Sequence, residues 1–293
     1  MKIIKTLKDC ITDIEWLCIK IPLIYIWILV IRDSLRDGYS VPLPIGICKI
    51  INCGIFLEGF GLVLISVIAF ALSVAYLLDF KMKWTTLGLF CVSVIIFTSE
   101  ESSGILKRNG TFSYLFLAQA FAYWINKANL VKLSYSRIQY SIQAITVGYF
   151  LSGFSKLMDT GITWPLDGFR ITLQVLKSFH YKYYTTLELN QLIKANEFVE
   201  FLTESQNLLV IVLSATLILE LMALTAAINK GYARIYGFFL LLMHIGIYHF
   251  MDVLITSFAF PMVIILINPF FLTVLLFNKI SNKTKLSSLN NLS

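Results

Sequence analysis

Charge is what this 293-residue sequence has least of. Asp, Glu, Lys and Arg make up 14% of it, against roughly 25% in an ordinary soluble domain. So thin a supply leaves no stretch that reads as a soluble domain of useful size. Histidine is scarcer still, with three residues, and the five cysteines, Cys10, Cys18, Cys48, Cys53 and Cys91, form no CxxC and no Cys/His cluster. That pattern argues against a zinc-type ligand set. Internal repeats and a Gly-rich phosphate loop are missing too. No small-residue cleavage site follows a short apolar core, so the first apolar run is not expected to be removed as a signal peptide.

What is there is apolar: 58% hydrophobic residues and a mean hydropathy of +0.78. A helix needs about 20 predominantly apolar residues to cross the roughly 30 Å hydrocarbon layer. Eight segments meet or approach that length, about 15–32, 55–78, 84–99, 111–126, 138–156, 206–228, 234–251 and 254–277. The expected fold is all-α, a polytopic integral membrane helical bundle of about eight transmembrane helices over 15–278. Before it, Ile3, Leu7, Ile11 and Ile14 share one helical face, which predicts an interfacial amphipathic helix over 1–14. Residues 157–205, with "GITWPLDG" and then "ELNQLIKANEFVEFLTES", read as an extracytoplasmic cap insertion, and 279–293 as a polar tail.

Lys and Arg set the orientation. Thirteen of them, Lys2, Lys5, Lys8, Lys81, Lys83, Lys230 and Lys279 included, fall on the side of the N-terminus against nine, such as Arg32, Lys49, Arg108 and Arg170, on the other. By this modest bias both termini are expected in the cytoplasm of a multi-pass cell-membrane protein. The formal charge of +7 is then mostly topology, and no nucleic acid is needed to explain it. Only Cys48 and Cys53 lie together in an outward-facing loop, where a disulfide persists if formed. The alternative is two small apolar side chains near the membrane surface.

An ionisable side chain inside lipid costs about 2.5–3.5 kcal/mol on insertion scales and generally faces the bundle interior. The candidates are Lys20, Glu58, Lys156, Glu220, His244 and His249, with Asp252 in a tight outer turn and Gln119, Gln139 and Gln143 as neutral companions. Lys20 and Glu58 stand near span ends and are expected to snorkel or sit in the headgroups. Glu220 is too deep for that, so it is either protonated or paired. His244 reads as a packing residue or a site residue. His249, five positions on, is turned by about 140°, which argues against a shared metal face. Lys156 closes "GYFLSGFSKLMDT" (Gly148 to Thr160). It reads as an anchor to the outer headgroups or, with Gly153 admitting a neighbouring helix and Asp159, Trp164 and Asp167 following, as a base or nucleophile.

"YFLSGFSKLMDTGITWPLDG" (Tyr149 to Gly168) resembles the Y-[FI]-x-[AS]-G-x-x-K-L…W-x-x-G segment of the horizontally transferred transmembrane (HTTM) family, which includes vitamin K-dependent gamma-carboxylase. "RNGTFSYL" (Arg108 to Leu115), "LILELMAL" (Leu217 to Leu224) and "LLMHIGIYHFMDVLITSF" (Leu241 to Phe258) are similar to three further family elements in the same order. The resemblance implies that Lys156 corresponds to the lysine that takes a proton from the reduced quinone. Gly110 stands where the family's histidine follows Asn109, and Met243 where a Phe precedes the other histidine. The carboxylase's large soluble domain is also missing.

The pattern is also similar to that of compact family members of the sporulation-delaying protein B-like type, from antimicrobial peptide systems. What they imply is maturation or export of a secreted antimicrobial peptide, with membrane lipids, a small secreted peptide and an accessory protein as partners. The expected outward-facing cavity has Lys156, Glu220 and His244 as its catalytic or charge-bearing group and Asn109 and Trp164 as substrate contacts. No metal or cofactor is assigned. The alternatives are a non-catalytic binding or immunity protein and a quinone-dependent carboxylase-like enzyme needing quinol and carbon dioxide.

Overall fold

The computed structural model describes residues 2–36, 43–56, 58–102, 110–126, 130–251 and 256–271. Among these every regular element is helical. The helices are α1 (Lys2–Arg36), α2 (Gly59–Leu77), α3 (Met82–Ser102), α4 (Thr111–Ile125), α5 (Leu130–Thr160), α6 (Gly168–Thr186), α7 (Asn190–Glu204), α8 (Gln206–Leu221), α9 (Lys230–Met251) and α10 (Thr256–Met262). Tighter 3₁₀ turns cover Gly46–Lys49, Cys53–Phe56, Gly161–Leu166 and Met222–Ala227. Four helical stretches are long and apolar enough to cross a membrane: Ile14–Asp33, Gly59–Leu77, Met82–Ser102 and Gln206–Ala227.

Two expectations change. Residues 2–14 are not a separate helix but continue without a break into α1, because nothing between Ile14 and Trp16 caps or interrupts the backbone. The 157–205 insertion holds α6 and α7, packed along each other. Over its described part, 256–271, the eighth apolar run does not form one regular helix. Pro261, which lacks an amide hydrogen, sits in α10, and the ladder widens just beyond it to a π turn over Val263–Ile267 that ends at Asn268 with φ +48°.

The core is aromatic at its centre. Trp27 of α1 is fully buried and meets Phe97 and Phe116 edge-on, with Phe112 beside them, the ring geometry that aromatic quadrupoles favour. Around it α2, α3, α4 and α5 pack in sequence, and α9 packs on Met222–Ala227 and Val263–Ile267. Polar groups close the two ends. At one end Lys230 donates to both oxygens of the buried Glu15 carboxylate (3.1 and 3.0 Å) and Asn268 donates to Oε1 (2.6 Å), joining α1, α9 and the last segment. At the other, a disulfide joins Cys48 to Cys53, and the Ile45 amide donates to Ser102 Oγ (3.3 Å) at the end of α3.

Lys20 does not snorkel. Its side chain is 1% exposed and its ammonium donates to Asp79 (2.7 Å) and to the Leu77 carbonyl (2.8 Å). A cation there satisfies an otherwise orphaned carbonyl of the last turn of α2 and opposes the negative end of its dipole. Glu58 is exposed at the start of α2, and Asp252 lies outside the described residues.

Candidate functional site

One face of α5 builds the site. Tyr149, Ser152, Gly153 and Lys156 recur at helical spacing and so line up along the helix. Gly153 is the contact point with α8: a Cβ added there would lie 2.9 Å from Cβ of Glu220 and 3.3 Å from the Leu221 amide nitrogen. With only a hydrogen in that place, the two backbones close up and the side chains of Lys156 and Glu220 meet.

They meet as an ion pair. Lys156 Nζ donates to Glu220 Oε2 at 2.5 Å, and Ser152 Oγ is 3.4 Å from the other carboxylate oxygen, Oε1. Glu220 stands fourteen positions into α8, about 21 Å along its axis at 1.5 Å per residue. Its side chain is 6% exposed, and that of Lys156 25%. The chain then turns back over the pair. The 3₁₀ turn Gly161–Leu166 sets the Trp164 ring with its centroid 4.8 Å from the ammonium, a cation–π contact that covers the lysine from the far side. Sequence reasoning thus anticipated three of these partners, and the structure brings Lys156, Glu220 and Trp164 together.

His244 is buried on α9, with Nε2 2.6 Å from the Tyr149 hydroxyl and its ring tilted against the phenol. It therefore bonds Tyr149 rather than Lys156, and its link to the ion pair runs along α5. Tyr236, two turns before His244 on α9, has a buried hydroxyl with no hydrogen-bond partner among the described residues. Asn109 lies outside the described residues. Ser113, from the same "RNGTFSYL" stretch, is engaged by Ser93 at 2.8 Å.

Two functional-type residues escaped the sequence reading. Tyr149 is an ordinary aromatic in an apolar run; its position seven before Lys156 was the available signal. Glu15 is an acid at the mouth of the first apolar run, and only tertiary packing reveals its partners Lys230 and Asn268. Gln119 is satisfied within the bundle by Tyr76 and Ser141, whereas Gln139 donates to the Ala227 carbonyl and its buried Oε1 has no partner among the described residues. A groove of about 400 Å³ between α4 and α5, lined by Tyr114, Phe121, Tyr140, Gln143 and Gly148 among others, contains none of the expected site residues. Among the described residues no three His, Cys, Asp or Glu side chains gather as metal ligands. Comparison of the chain with protein-family models, with curated proteins and with solved structures gave no match.

Proposed function

We propose that the chain is a polytopic membrane protein with eight crossings, both termini in the cytoplasm, and an outward-facing polar site that serves the maturation or export of a secreted antimicrobial peptide. Its crossings are α1 to α5, α8, α9 and the segment opening with α10. The pairing of the two ends supports this orientation. The Cys48 to Cys53 disulfide belongs to an oxidising compartment, whereas Lys20 with Asp79 and Glu15 with Lys230 gather at the opposite, Lys-rich side.

The observation that carries the functional reading is the direct pairing of Lys156 with Glu220 under the Trp164 ring. A charge pair at that depth is expensive. The stretch around it, "YFLSGFSKLMDTGITWPLDG", is the one that resembles the HTTM family's lysine motif. On this reading Glu220 is the group within reach of the proton that Lys156 must give up before acting as a base.

The same ion pair favours a second reading, a binding or immunity protein in which the ammonium recognises a ligand without chemistry. Growth inhibition of sensitive cells by the secreted peptide decides between them. Lys156→Ala, inserted normally, is expected to abolish inhibition, and undiminished inhibition refutes a role for the site. Lys156→Arg keeps the charge and cannot readily deprotonate, so retained inhibition selects binding and lost inhibition selects catalysis.

A further inference from the structure

The α6 and α7 hairpin has a surface that the site does not use. Leu173, Lys177, Tyr181 and Tyr184 follow one another at intervals of four, four and three residues. They therefore share one face of α6, and all four are exposed. The stripe runs into the hairpin tip, where Leu187 is 75% and Leu189 65% exposed, alongside Tyr181 at 71% and Tyr184 at 72%. Leu187 adopts φ +57°, a left-handed conformation that ends α6 and turns the chain with a large apolar side chain at the corner. Glu188, also exposed, stands between the two leucines, so the tip pairs large apolar side chains with one acid, a mixed surface of the kind that meets an interface between water and an apolar phase.

Charge selects the partner. Over Gly168–Thr186 the sequence carries Arg170, Lys177 and Lys182 and no acid, whereas Glu197, Glu200 and Glu204 all fall on α7. Tyrosines interleaved with lysines on an amphipathic helix match the composition that settles at a membrane surface, rings at the headgroup level and ammonium groups on phosphate. The base of the hairpin is at the right height. Gly168 opens α6 directly against Leu209, whose Cδ2 would lie 2.7 Å from an added Cβ, and Leu209 is among the first residues of the candidate span Gln206–Ala227. From there α6 packs on α8 and α9.

We infer that the hairpin lies in the headgroup layer of the outer leaflet, with the Leu173 to Tyr184 stripe and the tip leucines turned to the acyl chains, Lys177 and Lys182 on lipid phosphates and the α7 glutamates toward water. The inference rests on the membrane-spanning reading of α8. The hairpin then anchors the Trp164 turn, which directly precedes α6, at a fixed height over Lys156.

The test uses the full chain in vesicles of phosphatidylethanolamine and phosphatidylglycerol, with Cys10, Cys18 and Cys91 replaced by Ser. A thiol-linked fluorophore is placed by Tyr184→Cys, by Leu173→Cys, by Glu200→Cys as the water-facing reference and by Val212→Cys on α8 as the lipid-facing reference. Lipid nitroxides held near the headgroup are expected to quench the Tyr184→Cys and Leu173→Cys probes several-fold more than nitroxides at the chain end, while aqueous iodide preferentially quenches Glu200→Cys. If the two α6 probes answer only to iodide while Val212→Cys still answers to lipid nitroxide, the hairpin stands in water as a surface for a soluble partner and the inference is overturned. If Val212→Cys is also silent to lipid, the membrane-spanning reading falls and the inference with it.

Discussion

Breaking the Lys156 and Glu220 pair from one side should not cost the same as breaking it from the other. The Glu220 side chain is 6% exposed and that of Lys156 25%. Lys156→Met strands a carboxylate that has no water to turn to and keeps only the distant Ser152 hydroxyl. Removing one partner of a buried pair costs about 3–5 kcal/mol. Glu220→Gln leaves an ammonium that still faces the Trp164 ring and can reach solvent. Its cost falls between the about 1 kcal/mol of an exposed pair and the lower end of the buried range, about 1–2 kcal/mol.

For a chain of this size 1 kcal/mol moves the midpoint by about 2 °C, so Lys156→Met should lower Tm by about 6–10 °C and Glu220→Gln by about 2–4 °C. The double variant should recover at least about 1 kcal/mol relative to the sum, since contacting residues couple by about 0.5–3 kcal/mol. Thermal denaturation of the four proteins in one detergent reads all three numbers. Equal single losses, or a double variant that equals the sum, would refute the coupling and the burial asymmetry behind it.

Gly153→Ala drives a methyl group to within 2.9 Å of Glu220 Cβ and should destabilise by about 1–3 kcal/mol. Gly246→Ala on α9 meets nothing within 4 Å and should be neutral or stabilise by up to about 1 kcal/mol; the same thermal assay separates them, and similar values would count against close α5 to α8 contact. Tyr149→Phe leaves a buried His244 ring nitrogen without its partner, a loss of about 1–3 kcal/mol, and an unchanged Tm would remove the pair from the account. At the other end Asp79→Ala leaves a fully buried ammonium with the Leu77 carbonyl as its remaining acceptor, at about 3 kcal/mol, the lower end of the buried-pair range. Lys20→Met leaves a carboxylate that is 55% exposed and a single carbonyl, at about 1–2 kcal/mol; the reverse order in chemical denaturation contradicts the proposed burial of Lys20.

Helix content and the identity of the costly polar residues could be read from the sequence because hydrocarbon-length apolar runs leave little else to form and because each charge inside them needs a reason. Lys156 and Glu220 were legible on those grounds, and Trp164 through its place just after Lys156 in the stretch that resembles the HTTM family. Partners were not. Glu220 is sixty-four positions from Lys156 and Glu15 more than two hundred from Lys230, and nothing in local periodicity encodes a pairing at that separation. Lys20 misled for a related reason: its closeness to a span end suggested reach to the headgroups, but the α2 to α3 turn folds over it.

Access to Lys156 from outside the cell tests the central claim, an outward-opening polar site inside an apolar bundle. With Cys10, Cys18 and Cys91 replaced by Ser, Lys156→Cys in intact cells should react with a membrane-impermeant maleimide, while Phe154→Cys, two residues earlier on an exposed apolar face, should resist it. A Lys156→Cys protein that stays unmodified, or that reacts only once the cytoplasmic side is opened, would contradict the account.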